Sequence, residues 1–368
     1  MKFRHRLCVA TLLFPALMFG QGGAPAKASS PGNATSGNYP VMSTAAKNRS
    51  RQVFGYFESG QSAELYAAFS DRMKRVSGNA TQFAAASKRV STDWGRETKM
   101  LGENFAPDLL GLNTIYSRFS QFAKTKEPIF IALVIDQQGQ VALLQFRPAP
   151  PPSGNRWVDY KDTTKLRFPF DGDWFVYQGG RDIYQNPDAY RDAERYSLAF
   201  TVLKDGRPFS GDGTKNDQFY CYGQPVLAPA DGTVVMINNT FADNIPGRVE
   251  EIMPTGNRVL ISHGNKEYSL LMHLKQNSIK VKTGEKVKAG QPVGECGNSG
   301  NSPAPHLEYR LQNSSGRPLP MTLPAQFIDY VADGAPVTIG EPLRGQFVHN
   351  ASPAPAPVPA AAPPAEKK

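Results

Sequence analysis

The sequence predicts two domains of different class: an α+β domain of helices and a curved antiparallel sheet, followed by a mainly-β domain. The chain has 368 residues, more than one ordinary hydrophobic core holds. In the first half, apolar residues at helical spacing precede two strand-like runs. From about residue 169 onwards, short alternating segments are separated by Gly, Asn and Pro turns, which is the pattern of an all-β domain.

The first 28 residues differ from the rest of the chain. Three basic residues precede the apolar run 7–19, and small residues around 26–28 would suit cleavage. This pattern predicts a secretory signal peptide, with a retained membrane anchor as the alternative. No other stretch reaches the ~18 apolar residues that a membrane helix needs, so we expect no transmembrane segment after cleavage. The expected location is secreted, in the periplasm or cell envelope.

Residues 29–50 are rich in Ser, Gly, Asn and Ala and are predicted to be a linker. Residues 51–150 form the predicted α+β domain. Its helical positions are Leu65, Phe69, Met73 and Val76, then Phe83 with Val90. The runs 129–136 and 141–147 flank four turn residues and predict a hairpin. This order resembles the nuclear-transport-factor-2-like fold. The domain has no His or Cys, so we assign it no chemistry.

Residues 151–345 form the predicted β domain, which begins with an aromatic bridge whose two Trp, Trp157 and Trp174, we expect in the core. Residues 346–368 are a Pro- and Ala-rich tail, predicted to be disordered. Cleavage of the signal would remove four basic residues and no acidic one, so the net charge would fall from +9 to +5. This mild excess suits contact with an anionic polymer, and we predict no nucleic-acid partner.

Three stretches of the β domain carry motifs in a specific order. They read GQPVLAPADGTV (223–234), NRVLISHGNKEYSLLMHL (257–274) and VKTGEKVKAGQPVGECGNSGNSPAPHLEYRL (281–311). In combination they resemble the lysostaphin and LytM-like zinc metallopeptidases of peptidoglycan, over roughly residues 165–345. The resemblance implies a LytM-like β fold and the position of a metalloendopeptidase active centre.

Two histidines match active-centre positions that are not zinc ligands in that family. His273 ends a strand and faces opposite to Met272, and His306 begins the strand in which Glu308 and Arg310 share its face. The resemblance implies that such histidines polarise a peptide carbonyl and orient a water. Without a metal we expect both to be vestigial for catalysis, and the roles that remain are hydrogen bonding to a peptide carbonyl or a structural role in the wall of the groove.

The three ligand positions are all substituted. Glu308 stands where the family has the second His of a His-x-His pair. With Asn186 and Tyr196 as anchors, Asp188 replaces the upstream ligand His and Ala199 the ligand Asp. An alternative alignment uses Asp217 instead. Both alignments lack the His, so the resemblance implies no metal ion and no other cofactor. We expect Glu308 to pair with Arg310 or Arg191, or to bond His306, because an unpaired buried carboxylate is costly.

The resemblance also bears on the two cysteines of the mature chain. Relatives of this type often carry Cys at the positions of Cys221 and Cys296, which predicts a disulfide; two buried thiols are the alternative.

Together these features predict an exported, cell-wall-associated protein that is non-catalytic. It would bind peptidoglycan peptide or regulate a partner wall hydrolase. The alternative is an active zinc endopeptidase that cleaves peptidoglycan cross-links with a shifted ligand set, such as His306, Asp217 and Glu308.

Overall fold

A computed structural model describes residues 44–108, 111, 113–148, 157–181, 185, 186, 189, 193–249, 253–316 and 320–353. The predicted signal peptide and Asp188 lie outside these ranges. The chain divides into two compact units, one built from residues 40–153 and the other mainly from 154–181 and 192 onwards. In the part that the structure describes, no helix is long and apolar enough to cross a membrane.

The first unit consists of four helices followed by an antiparallel sheet, as predicted. Its elements are α1 Thr44–Glu58, α2 Ser62–Ala67, α3 Asp71–Ser77, α4 Ala80–Trp94, β1 Glu97–Pro107, β2 Thr114–Phe122, β3 Ile129–Ile135 and β4 Val141–Pro148. The strands pair in the order β1-β2-β3-β4, and the predicted hairpin is the β3-β4 pair. Helices before such a sheet occur in several folds, so the nuclear-transport-factor-2-like resemblance stays a prediction.

The helical boundaries differ from the sequence prediction in two places. α1 begins at Thr44, inside the predicted linker, because Val53, Phe54 and Phe57 give it an apolar face that enters the core. The single helix predicted around Phe69 is two helices, α2 and α3. The chain is interrupted between them because Ser70 caps α3, its side chain accepting a hydrogen bond from the backbone N–H of Met73.

The second unit is mainly β. Its strands are β5 Trp174–Gln178, β6 Leu198–Thr201, β7 Pro225–Leu227, β8 Gly232–Asn238, β9 Asn257–Ser262, β10 Tyr268–Leu274, β11 Lys286–Val287, β12 Pro292–Glu295, β13 Leu307–Gln312, β14 Thr322–Leu323, β15 Phe327–Ala332, β16 Ala335–Gly340 and β17 Phe347–Asn350. The main sheet has the order β11-β8-β9-β10-β13-β6-β5-β17-β15-β16, with β14 also beside β13, and β12 pairs with β7. A single 3-10 turn, Asn216–Gln218, lies between β6 and β7.

One face of this sheet packs on the core of the second unit. Tyr309 and Leu311 of β13 are fully buried there with Phe168, Phe327 and Trp174. Trp157 packs against the same core from a partly buried position. β17 corrects the predicted tail, because residues 347–350 pair with β5 and β15 and Val348 is fully buried. Strand order inside the fold, which composition does not reveal, decides where the tail begins.

Two glycines bring the loop before β13 close to the loop before β9. Gly256 and Gly300 have φ values of 54° and 80°, and a Cβ on either would overlap the backbone of the other loop. The approach is locked by a hydrogen bond from the N–H of Asn257 to Ser299 Oγ, at 2.9 Å. This contact holds the carbonyl oxygen of Ser299 beside the end of β10, where His273 lies.

Candidate functional site

A row of residues crosses the outer face of the sheet at the start of β13. Glu308 is paired with Met272 of β10 on one side and with Ala199 of β6 on the other. Paired residues of antiparallel strands share a face, so Ala199 points to the same side of the sheet as Glu308. His306, two residues before Glu308, joins this face, as strand alternation predicted.

Three potential donor groups meet in this row. The donor atoms of His273, His306 and Glu308 lie within 4.8 Å of one another, and the two imidazole ring centroids are 4.7 Å apart. Both histidines are almost fully buried, with 2% and 6% of their surface exposed. The structure therefore brings together three of the residues that the sequence singled out.

A bulge in β10 aims His273 at this cluster. The register with β9 shifts between Leu271 and Leu274, and His273 has a φ of 61°, a conformation that side chains other than glycine rarely adopt. Its N–H donates to the carbonyl of Thr255 at 3.3 Å. Backbone strain at a residue is tolerated where surrounding contacts fix it, and it concentrates at functional sites.

The ring of His273 faces an acceptor at each nitrogen. Nδ1 lies 2.8 Å from the carbonyl oxygen of Ser299, and Nε2 lies 2.9 Å from Oε2 of Glu308. A carbonyl and a carboxylate only accept hydrogen bonds, so each ring nitrogen of His273 faces an acceptor. In this arrangement both ring nitrogens are already engaged by protein atoms.

Glu308 is held by Arg310 and His273. Its Oε1 accepts hydrogen bonds from Nε and Nη2 of Arg310, at 2.9 and 2.7 Å, while Oε2 accepts from His273. Burial by itself would raise the pKa of Glu308, but the charge of Arg310 and the bond from His273 outweigh burial and lower that pKa below its usual range. Glu308 is thus ionised at neutral pH and stays paired.

His306 is the neutral member of the cluster. Burial, with a smaller effect of the neighbouring His273, lowers the pKa of His306 to about 4. Its Nδ1 lies 2.8 Å from the carbonyl oxygen of Ala304, to which it donates, and 3.1 Å from Oγ of Ser302. The proton on Nδ1 leaves Nε2 as a hydrogen-bond acceptor at neutral pH.

The described residues do not fit a zinc ion, although three donor groups are close enough to surround one. A catalytic zinc takes about three protein ligands with available lone pairs. Both nitrogens of His273 face acceptors, and both oxygens of Glu308 are bonded, one of them to a guanidinium that would repel a cation. Ala199, opposite Glu308, has no donor atom at all.

The other predicted residues lie apart from the cluster. Asp217 is exposed on the 3-10 turn and does not belong to it. Cys221 and Cys296 are free, fully buried thiols, so the predicted disulfide is not formed in this structure. The sulfur of Cys221 donates to the carbonyl of Pro305, directly before His306, at 3.1 Å.

Sequence reasoning missed the residues that hold the histidines. Ser299 and Ser302 both contact a histidine ring or its carbonyl partner, and both come from the GNSGNS segment before β13. The glycines of that segment were a usable signal, because glycine lets the backbone of a loop approach neighbouring groups closely. This loop directly precedes the strand that carries the predicted site residues.

Comparison with known proteins agrees with this geometry. Residues 216–320 match the model of Peptidase family M23. The chain is 40% identical over 90 residues to the peptidoglycan DD-endopeptidase ShyA of Vibrio cholerae, covering 24% of this chain and 17% of that protein. It is 35% identical over 100 residues to the glycyl-glycine endopeptidase ALE-1 of Staphylococcus capitis, covering 27% of this chain and 24% of that protein.

Another relative is matched over most of its own length. The lipoprotein NlpD of Yersinia enterocolitica is 32% identical over 98 residues, covering 26% of this chain and 88% of that protein. By contrast, the chain spans less than a fifth of the length of the Vibrio protein.

Proposed function

The chain belongs to peptidase family M23, and from this premise we propose that its C-terminal domain is a non-catalytic, cell-wall-associated member that binds peptidoglycan peptide or regulates a partner wall hydrolase. The observation that carries the proposal is the pairing of Glu308. Its carboxylate is bonded to Arg310 and His273, and the side chain at the facing position, Ala199, offers no ligand. Protein side chains thus bond the carboxylate of Glu308 at the position where a metal ion would otherwise bind it.

The same site offers a hydrogen-bond acceptor to a bound peptide. His306 is neutral, and the described residues make no hydrogen bond to its Nε2, so this nitrogen can accept an N–H of a bound peptide. The relatives named as peptidoglycan and glycyl-glycine endopeptidases support a substrate class of wall peptides. Export, which the proposal requires, is supported by the basic and apolar pattern of residues 1–28.

Metal content tests the loss of the zinc site. The purified mature protein is incubated with zinc, passed through a desalting column and analysed by mass spectrometry for metal per chain. We expect far less than one zinc per chain. The matched control restores the family's ligand types with Asp188→His, Ala199→Asp and Glu308→His together; zinc uptake by this variant shows that the assay detects a site. One tightly bound zinc in the wild type would contradict the proposal.

A second candidate is an active zinc endopeptidase, favoured by the close approach of His273, His306 and Glu308. Digestion of purified sacculi, with and without added zinc, separates the two functions. Under our proposal no peptide is released in either condition. Zinc-dependent release that disappears in Glu308→Ala and His306→Ala would establish the enzyme instead.

Binding is tested on the same sacculi. We expect the wild-type protein to sediment with them and His306→Ala to sediment several-fold less, because the variant loses the acceptor in the groove. A partner hydrolase is the binding target if the wild type does not sediment with sacculi but alters the rate of a wall hydrolase.

A further inference from the structure

Arg258 lies in the same row as the histidine cluster, on the strand next to it. It is the second residue of β9, and the bulge of β10 around Met272 and His273 lies opposite it. Leu260, two residues on, pairs with Leu270, which in turn pairs with Arg310 on the Glu308 face. By strand alternation Arg258 therefore faces the same side of the sheet as Glu308. Two strand spacings put their Cα atoms about 10 Å apart.

The guanidinium of Arg258 is anchored to the loop that also holds His273. Its Nη1 donates to Oγ1 of Thr255 at 2.6 Å, and the carbonyl of Thr255 accepts the N–H of His273. The aliphatic stem starts beside a small apolar cluster of Leu260, Leu270 and Met272 on the same face. The hydrogen bond to Thr255 thus restricts the guanidinium of Arg258 to one position.

This guanidinium has no acid partner among the described residues. Its Nε is buried without a hydrogen bond, whereas Nη2 makes no hydrogen bond and is not among the buried unpaired atoms, so Nη2 remains open to a ligand. Burial lowers the pKa of Arg258, and none of the described carboxylates opposes that effect. A partly buried cation without a counter-charge lowers the stability of the fold. Proteins keep such a destabilising residue where its charge serves a function.

We infer that Arg258 is the anion-recognition residue of the groove and binds a carboxylate of a wall peptide whose backbone lies against His306. This inference rests on the proposed function and names the chemistry of the ligand. The planar fork of a guanidinium matches a carboxylate, and a hydrogen bond to a charged group is stronger than one between neutral groups. Arg310 does not compete for the same carboxylate, because its charge is already paired with Glu308. The carboxylate of the ligand is therefore expected to bind at β9, beside Arg258.

Calorimetric titration of the full mature protein tests the inference with two synthetic peptides. One is a peptidoglycan stem tetrapeptide with free carboxyl groups, and the other is the same peptide with its carboxyl groups amidated. We expect the wild type to prefer the free acid by about 10- to 100-fold, as one or two charge-assisted hydrogen bonds allow. Arg258→Gln should remove the preference, and Arg258→Lys should keep part of it.

The matched control removes one positive charge elsewhere on the same hairpin. Lys266 is exposed in the turn at the far end of β9, so Lys266→Gln should leave the preference unchanged. Thermal unfolding distinguishes a binding role from a structural one. The Tm of Arg258→Gln should equal or exceed that of the wild type, since the variant loses an uncompensated charge; a marked fall in Tm would overturn the inference.

The remaining outcomes separate the inference from the function on which it rests. Equal affinity of the wild type for both peptides, or an unchanged preference in Arg258→Gln, overturns the role of Arg258 and leaves peptide binding standing. If the wild type binds neither peptide, the groove does not bind wall peptide, and the inference fails together with that part of the proposed function.

Discussion

Glu308 and Arg310 stand two residues apart on β13, and on its outer face one carboxylate oxygen of Glu308 accepts two hydrogen bonds from the guanidinium of Arg310. Strand alternation alone predicted that they share this face, and the pairing with Arg310 was one of the expected arrangements. A bond between Glu308 and His306, another of them, is not what the structure shows. His273 takes that place, since the bulge in β10 brings its Nε2 to the carboxylate.

The pair makes a testable contribution to stability. Arg310→Gln removes the guanidinium and leaves Oε1 of a largely buried carboxylate without its charged donor. We expect a loss of about 1.5–3 kcal/mol in the free energy of unfolding, measured by urea denaturation. The double variant Glu308→Gln with Arg310→Gln should recover part of that loss, because no unpaired charge remains. A loss below about 0.5 kcal/mol in the single variant would show that solvent replaces Arg310.

At the scale of elements, the strand pattern predicted where β10 ends but not its bulge. His273 and Met272 were expected on opposite faces because successive residues of a strand alternate. The register shift and the positive φ of His273 bring its ring to the same cluster as Glu308, the pairing partner of Met272. A bulge depends on which carbonyls neighbouring loops present, here those of Thr255 and Ser299, and a sequence pattern does not contain that information.

Asp162, in the aromatic bridge before β5, makes a pH-dependent contribution to the stability of the second unit. Asp162 accepts a hydrogen bond from the N–H of Gln326 at 2.8 Å. Burial raises the pKa of Asp162 to about 7, and the charges of Glu267 and Glu341 add to this against the bond from Gln326. The folded protein therefore holds this proton more tightly than the unfolded chain does, so stability is lost as pH rises from about 4 through 7.

Asp162→Asn should remove this pH-dependent loss. Relative to the wild type, the variant's free energy of unfolding should increase steadily between pH 4 and pH 8, since an amide does not ionise. Thermal or urea unfolding across that range measures the difference, and Asp159→Asn on the same bridge serves as the control. A constant difference between variant and wild type would show that Asp162 titrates normally.

The two cysteines link the strand pair β7-β12 to the loop before β13. Cys296 exchanges backbone hydrogen bonds with residues 223 and 224, which follow Cys221 closely. We expect the protein, once exported to an oxidising compartment, to form the disulfide, because the backbone hydrogen bonds of Cys296 hold the two cysteines near each other. Thiol titration in denaturant, without reductant, should then detect no free thiol. Two titrating thiols per chain would contradict the prediction, and reduction should lower stability by about 2–4 kcal/mol.

At the scale of the whole molecule, the chain holds two hydrophobic cores with separate membership. One core joins the helices of the first unit to the inner face of β1–β4, and the other lies within the second unit. Leu133 belongs to the first and Leu311 to the second, and both are essentially unexposed. Each core has its own set of long-range strand pairs.

Separate cores predict two unfolding transitions in calorimetry. Leu133→Ala should lower the free energy of unfolding of the first unit by about 2–5 kcal/mol, and Leu311→Ala should do the same for the second unit. Each substitution should leave the transition of the other unit nearly unchanged. The two variants act as controls for each other. A single transition shifted equally by both substitutions would show that the units unfold together.

The order of the two domains, the β3-β4 hairpin and the family of the second domain follow from the sequence alone, because local alternation and motifs in a fixed order are properties of the chain itself. The contacts of Glu308 with both Arg310 and His273, with Ala199 across from it, arise only in the folded chain. So does the position of Arg258, which faces this row without an acid partner among the described residues. These relations join strands β6, β9, β10 and β13, and pairing register, which depends on the packing of the whole sheet, brings them together.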